Sequence, residues 1–126
     1  MGAIAFDADV LIGFFNRDDA HHPAARRLLQ AAEQSGDRLL IAASVYAEVI
    51  VGPLRAGRSG EIDAALTALG VDVVPVDRAT AGEAARLRAR HRTLRLPDAM
   101  ALAVARGEGA DFKTFDRRLA RIAAGG

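Results

Sequence analysis

Five acidic side chains hold most of the chemistry open to this chain: Asp7 and Asp9 at the end of the first apolar run, then Glu48, Asp98 and Asp116. With no cysteine in 126 residues, disulfides, thiolate zinc sites and cysteine nucleophiles are excluded together. Metal chemistry is left to carboxylate oxygens and three histidines. Of these, His21 and His22 stand side by side in a polar stretch before Pro23, where surface residues are expected rather than ligands. If the fold gathers the acids, their charge has to be neutralised. Two carboxylates about 5 Å apart repel by roughly 3 kcal/mol at an effective dielectric near 20, so four together would exceed the net stability of a domain. Raised pKa values relieve part of this. An oxygen-only cluster facing water is also what Mg2+ or Mn2+ prefers.

Each acid has a structural reading beside the chemical one. Glu48 lies in Val45-Tyr46-Ala47-Glu48-Val49-Ile50-Val51, and apolar neighbours on every side argue against full exposure. A buried carboxylate must be protonated, paired with an arginine or bound to a cation. Asp98 follows Leu96-Pro97 at the head of an apolar helix, where it also complements the helix dipole. Asp116, in Lys113-Thr114-Phe115-Asp116, suits a helix N-cap; Asp9 either caps the first helix or supports a ligand. For Asp7 the structural reading is weakest. A strand apolar to its last residue delivers this carboxylate to the crevice at the carboxyl end of a sheet.

The elements that must position these acids alternate between strand and helix. Residues 3–7 read as a buried strand, followed by a short helix through Val10, Leu11, Ile12, Phe14 and Phe15. Asn16 to Asp19 is a loop, and Pro23 to Gln34 a helix ended by Ser35-Gly36-Asp37. A second strand spans 38–43, after which Ser44 caps a helix reaching Pro53 or Leu54; another helix spans about 60–69. Val71 to Val76 is a third strand, and helices follow at 79–91 and 97–107. A weak strand near Phe112 and a helix over 117–123 complete the chain. Ala99, Ala101, Ala103 and Ala105 allow their helix to pack closely on the sheet. The pattern predicts a parallel sheet of four strands, or five, covered on both faces: a three-layer α/β/α fold.

Length and composition narrow the classes. A chain of 13.3 kDa is one domain, 1–126, with room for one active site. It has no apolar run long enough for a membrane helix and no basic-then-apolar leader, so a cytosolic protein is expected. The formal charge of +1 conceals a basic stretch. Arg78, Arg86, Arg88, Arg90, Arg92 and Arg95 with His91 are opposed locally by Asp77, Glu83 and Asp98. Such a stretch either tracks a phosphate backbone or is a solvated helix face.

In order and spacing, Ile4-Ala5-Phe6-Asp7-Ala8-Asp9-Val10-Leu11, Ser44-Val45-Tyr46-Ala47-Glu48-Val49, Asp98-Ala99-Met100-Ala101-Leu102-Ala103-Val104-Ala105 and Thr114-Phe115-Asp116 together resemble the PIN-domain nucleases. Within them, the chain looks like the VapC-type toxins of toxin-antitoxin pairs. The resemblance spans nearly all of the chain and implies that Asp7, Glu48, Asp98 and Asp116 form the catalytic, metal-holding quartet, with Thr114 and Asp9 in support. It also implies Mg2+- or Mn2+-dependent hydrolysis of RNA phosphodiesters, by in-line attack of an activated water without a covalent enzyme intermediate. Arg95 and Arg117 are the candidates for balancing substrate charge. A homodimer and a cognate VapB-type antitoxin are implied as partners, with Phe14 and Phe15 as candidate contacts. Two departures stand out. Asp9 occupies a position where many relatives carry Ser, Thr or Asn, and the chain ends before the apolar strand that commonly closes the family's sheet.

Two rival readings share the first motif. A haloacid-dehalogenase-like phosphatase would use Asp7 as nucleophile and Ser44 after the second strand, but Lys113, the only lysine, lies too close to Asp116 for that family's pattern. A receiver-like signalling domain would need a phosphorylated aspartate ending a strand near residue 50, where this chain has Glu48 inside a helix-like run.

Overall fold

A computed structural model describes residues 2–125. Four parallel strands form one sheet: β1 (Ala3–Phe6), β2 (Arg38–Ala42), β3 (Val71–Val74) and β4 (Asp111–Lys113), in the order β3-β2-β1-β4. The chain winds outward from β1 through β2 to β3, then returns to lay β4 on the other side of β1. That reversal opens a crevice at the carboxyl ends of β1 and β4, the place where open parallel sheets put their functional groups. Registers Ala3↔Arg38, Ile4↔Leu39 and Ala5↔Leu40 tie β1 to β2, and Ile4↔Asp111 through Phe6↔Lys113 tie it to β4. Four strands, the smaller of the two numbers expected, make up the sheet among the described residues.

The central strands are apolar on both faces because helices cover both. Ala5, Phe6, Leu40 and Ile41 are essentially inaccessible, whereas the edge strand β3 leaves Val73 43% exposed. The helices are α1 (Ala8–Phe15), α2 (His22–Ser35), α3 (Ala43–Arg55), α4 (Ser59–Leu69), α5 (Arg78–Arg90), α6 (Leu96–Gly107) and α7 (Arg117–Gly125). The main core joins the sheet to α1, α2 and α3 and to one side of α6; a second cluster, including Ala84, Leu87, Leu102 and Leu119, joins α5, α6 and α7. Ala99, Ala101, Ala103 and Ala105 are all buried, but only Ala101 and Ala105 belong to the sheet cluster, whereas Ala99 and Ala103 pack with α5 and α7.

Helix ends follow local chemistry. Gly36 and Gly70 close α2 and α4 with φ of 75° and 71°, a conformation in which a Cβ is disfavoured. Asp77 caps α5 by accepting from the Thr80 N–H at 2.8 Å. Three boundaries correct the sequence reading. The second strand stops at Ala42, so α3 begins at Ala43 and Ser44 is not its cap. Pro53 lies within α3, which continues to Arg55. The third strand stops at Val74, two residues before Val76. Among the described residues no helix is long and apolar enough to cross a membrane.

Candidate functional site

The site begins where β1 ends. Asp7 follows Phe6, extends the strand geometry and caps α1 by accepting the Ala8 N–H at 2.9 Å. This corrects the expectation that Asp9 caps that helix: Asp9 sits in its first turn instead. The Asp7 N–H donates to the Lys113 carbonyl at 2.9 Å, so β4 fixes the backbone beneath the carboxylate. Only 7% of Asp7 is exposed, and among the described residues it is the one charged residue in the buried set.

The turn after β4 supplies the partners. Thr114 Oγ1 donates to Asp7 Oδ2 at 2.8 Å, and Asp9 Oδ2 stands 3.3 Å from the same hydroxyl. The Phe115 N–H donates to Asp9 Oδ2 at 3.0 Å, and the Asp116 N–H to Thr114 Oγ1 at 3.1 Å. Asp116 then caps α7, with Oδ1 accepting from the Arg118 and Leu119 N–H groups at 3.0 Å each. One hydroxyl therefore holds three parts of the acidic site in register.

Glu48 and Asp98 reach the crevice from helices. Val45 and Val49 on α3 are buried, while Glu48 is exposed. Glu48 is exposed yet not fully so, since part of its side chain stays shielded, and the outward face of α3 is apolar too: Val51 and Leu54 are 44% and 59% exposed. Asp98 lies in the first turn of α6, half-buried, and pairs with Arg95 Nε at 3.3 Å. Arg95 itself is highly exposed, as is Arg117 at the head of α7.

Electrostatics link these groups. Burial, first of all, pushes the Asp7 carboxyl from an ordinary 3.8 to about 6; the Thr114 hydroxyl opposes this, and the charges of Asp9 and Asp98 reinforce it. Asp9 is raised by burial, against the hydrogen bonds from Phe115 and Thr114 and the neighbouring charge of His21. Partial burial raises Glu48, with Asp98 and Asp9 adding repulsion and Arg95 offsetting it. The Arg95 guanidinium is held charged by Asp98 above all, then by Glu48 and Asp116. The acids from α1, α3, α6 and the β4–α7 turn thus share one field.

Among the described residues, no group of three histidine or acidic side chains is arranged tightly enough to hold a metal ion as it stands. The donors nevertheless fit a hard cation in kind: all are carboxylate or hydroxyl oxygens. In addition, Asp9 Oδ1 is buried with no hydrogen-bond partner. A second orphan, Ser44 Oγ, lies one helical turn before Glu48.

The histidines behave as surface groups with local tasks. His22 Nδ1 lies 2.9 Å from the Gly13 carbonyl, and the His21 ring stacks on Phe115 with centroids 4.6 Å apart. A Cβ on Gly13 would stand 3.3 Å from that of His21, so the glycine admits this close approach. Sequence reasoning missed the position of His21 beside the site, for which Gly13 was the available signal. Of the basic stretch, Arg78, Arg86, Arg88 and Arg90 are exposed on α5, where Arg86 pairs with Glu83 at 3.1 Å, and Arg92 and Arg95 follow in the connection to α6. Beside Glu48, a groove of about 370 Å³ runs between α1, α3 and α4, lined by Ile12, Phe15, Val49, Pro53 and Ile62. Phe14 and Phe15 are half-buried, packed on the core and edge-to-face with each other.

A doubly wound parallel sheet with acids near its switch crevice is consistent with a PIN domain, and the chain belongs to that family: residues 4–125 match the PIN domain model. It is related to the VapC ribonuclease toxins. It is 31% identical over 120 residues to Ribonuclease VapC23 of Mycobacterium tuberculosis, covering 93% of this chain and 95% of that one. Among solved structures it is similar to Mycobacterium tuberculosis VapC20, a sarcin-ricin loop cleaving toxin, with a TM-score of 0.73 and 27% identity over 97% of this chain and 95% of the other. A toxin-antitoxin complex from Klebsiella pneumoniae gives a TM-score of 0.72 at 25% identity, covering 88% of this chain and 84% of that one.

Proposed function

We propose that residues 1–126 act as one Mg2+- or Mn2+-dependent ribonuclease domain, the toxin of a VapBC-type pair, working in the cytosol. The observation that carries this reading is the shared field of Asp7, Glu48, Asp98 and Asp116 at the β1–β4 crevice. In a chain related to a named ribonuclease, such a cluster has a clear use. Asp7, Glu48, Asp98 and Asp116 hold the ion, and Thr114 and Asp9 support them. A divalent ion there supplies polarisation of the phosphodiester and an acidified water for in-line attack.

The chain's own groups prepare that chemistry. Thr114 and the Ala8 N–H fix the two oxygens of Asp7, so the carboxylate presents a set geometry rather than a rotating one. Arg95 balances Asp98 and Glu48 while remaining exposed enough to meet a substrate phosphate, a role that Arg117 shares. The groove beside Glu48 and the exposed Ile12, Val51 and Leu54 suit an apolar peptide of the antitoxin. The complex from Klebsiella pneumoniae supports such a partner, and a homodimer completes the assembly.

Incubation of purified protein with RNA tests the reading. Cleavage is expected with Mg2+ or Mn2+, suppressed by EDTA, and lost in Glu48→Gln, whose side chain is exposed and whose fold is expected to persist. Cleavage that survives EDTA, or that Glu48→Gln leaves intact, refutes the assigned site.

A further inference from the structure

We propose that Asp9 is itself a ligand to the divalent ion, through Oδ1, in addition to the four acids named above. The inference rests on the metal-dependent reading of the site and concerns what its two oxygens do. Oδ2 is committed to the fold: it accepts from the Phe115 N–H at 3.0 Å and lies 3.3 Å from the Thr114 hydroxyl. Oδ1 is buried and has no partner. Helix capping does not account for it, because Asp7 caps α1. Holding the Thr114–Asp116 turn does not account for it either, since one oxygen suffices and an uncharged side chain would serve. A buried polar atom without a partner marks a position for an ordered water or an ion.

The surroundings favour a cation. Asp9 stands beside the buried Asp7, the two carboxylates sharing the Thr114 hydroxyl at 2.8 Å from Asp7 Oδ2 and 3.3 Å from Asp9 Oδ2. A second negative side chain beside a buried Asp7 works against folding unless a positive species stands between them. The Ser44 hydroxyl, also buried and unpartnered, rides on α3 one turn before Glu48. Both orphans lie just beyond the carboxyl ends of the paired strands β1 and β2. Each of these two buried oxygens is thus left without a hydrogen-bond partner near the same end of the sheet.

Asp9→Asn separates ligation from scaffolding, because its amide oxygen keeps the Phe115 and Thr114 contacts and places a nitrogen donor where Oδ1 stood. Calorimetric Mn2+ titration is expected to show affinity lower by about tenfold or more. Luminescence lifetimes of bound Eu3+ in H2O and D2O are expected to count about one further coordinated water, the replacement for the lost oxygen. Melting in EDTA is expected to be no lower than wild type. Unchanged affinity and water count in a folded Asp9→Asn protein overturn the inference while leaving the four-acid site standing. Absence of Mn2+ binding by the wild type overturns both. Should Asp9→Asn melt early, Asp9→Ser, whose hydroxyl also accepts from Phe115, is put through the same titration and lifetime measurements. Weaker Mn2+ binding and an added water then support ligation by Asp9, and no change in either overturns it.

Discussion

Replacing Asp7 with asparagine is expected to make the metal-free protein more stable at neutral pH while abolishing activity. The asparagine oxygen still accepts the Ala8 N–H and so still caps α1. Its amide donates to Thr114 Oγ1, whose own hydrogen turns to Asp9 Oδ2, already 3.3 Å away. What disappears is the cost of a buried charge. Raising the carboxyl from 3.8 to about 6 is worth about 3 kcal/mol, at roughly 1.4 kcal/mol per tenfold change in proton affinity. Because the folded value lies above the unfolded one, the folded state holds the extra proton between those values. The wild type is favoured fully below 3.8 and loses that advantage as pH rises to about 6. Urea unfolding of both proteins in EDTA from pH 4 to 8 measures the difference directly. At pH 7.5 the variant is expected to be more stable by up to about 3 kcal/mol, on the order of 10 °C in Tm. The gap closes toward pH 4. A variant less stable than wild type at pH 7.5, or a gap that ignores pH, refutes the claim that burial rather than hydrogen bonding governs this carboxylate.

Two further substitutions probe the supports. Thr114→Val removes the hydroxyl that opposes the rise of Asp7, so the Asp7 carboxyl should move higher still, read by NMR titration. The loss of its contacts to Asp7 and the Asp116 N–H should cost about 1–3 kcal/mol in urea unfolding. Ser44→Ala should be neutral or stabilising by about 1 kcal/mol in EDTA, since the hydroxyl it deletes has no partner. A clear loss of stability there would show that Ser44 is satisfied in solution.

The alternation of elements was legible because the central strands are apolar throughout and the helices carry ordinary end signals at Pro23, Gly36, Gly70 and Asp116. The β4 segment was weak in sequence because it is a three-residue edge strand that buries little. Asp7 could be placed from sequence alone, since a carboxylate ending a buried strand has few other destinations. Which acid capped α1 could not, because Asp7 and Asp9 are equally good caps and backbone pairing with Lys113 decides between them. The degree to which Glu48 is exposed was harder to read. Its apolar neighbours look like core on both faces of α3, yet one face is turned to the groove.

Thr114 and Asp7 touch across 107 positions of sequence, and β1 receives its second neighbour only when β4 is in place. A chain still being synthesised therefore carries its first carboxylate early and the hydroxyl that orients it late. Until Thr114 clears the ribosome, the Asp7 carboxylate lacks the hydroxyl that anchors it. On the proposed reading, growing chains are thereby kept harmless to the template and the machine that make them.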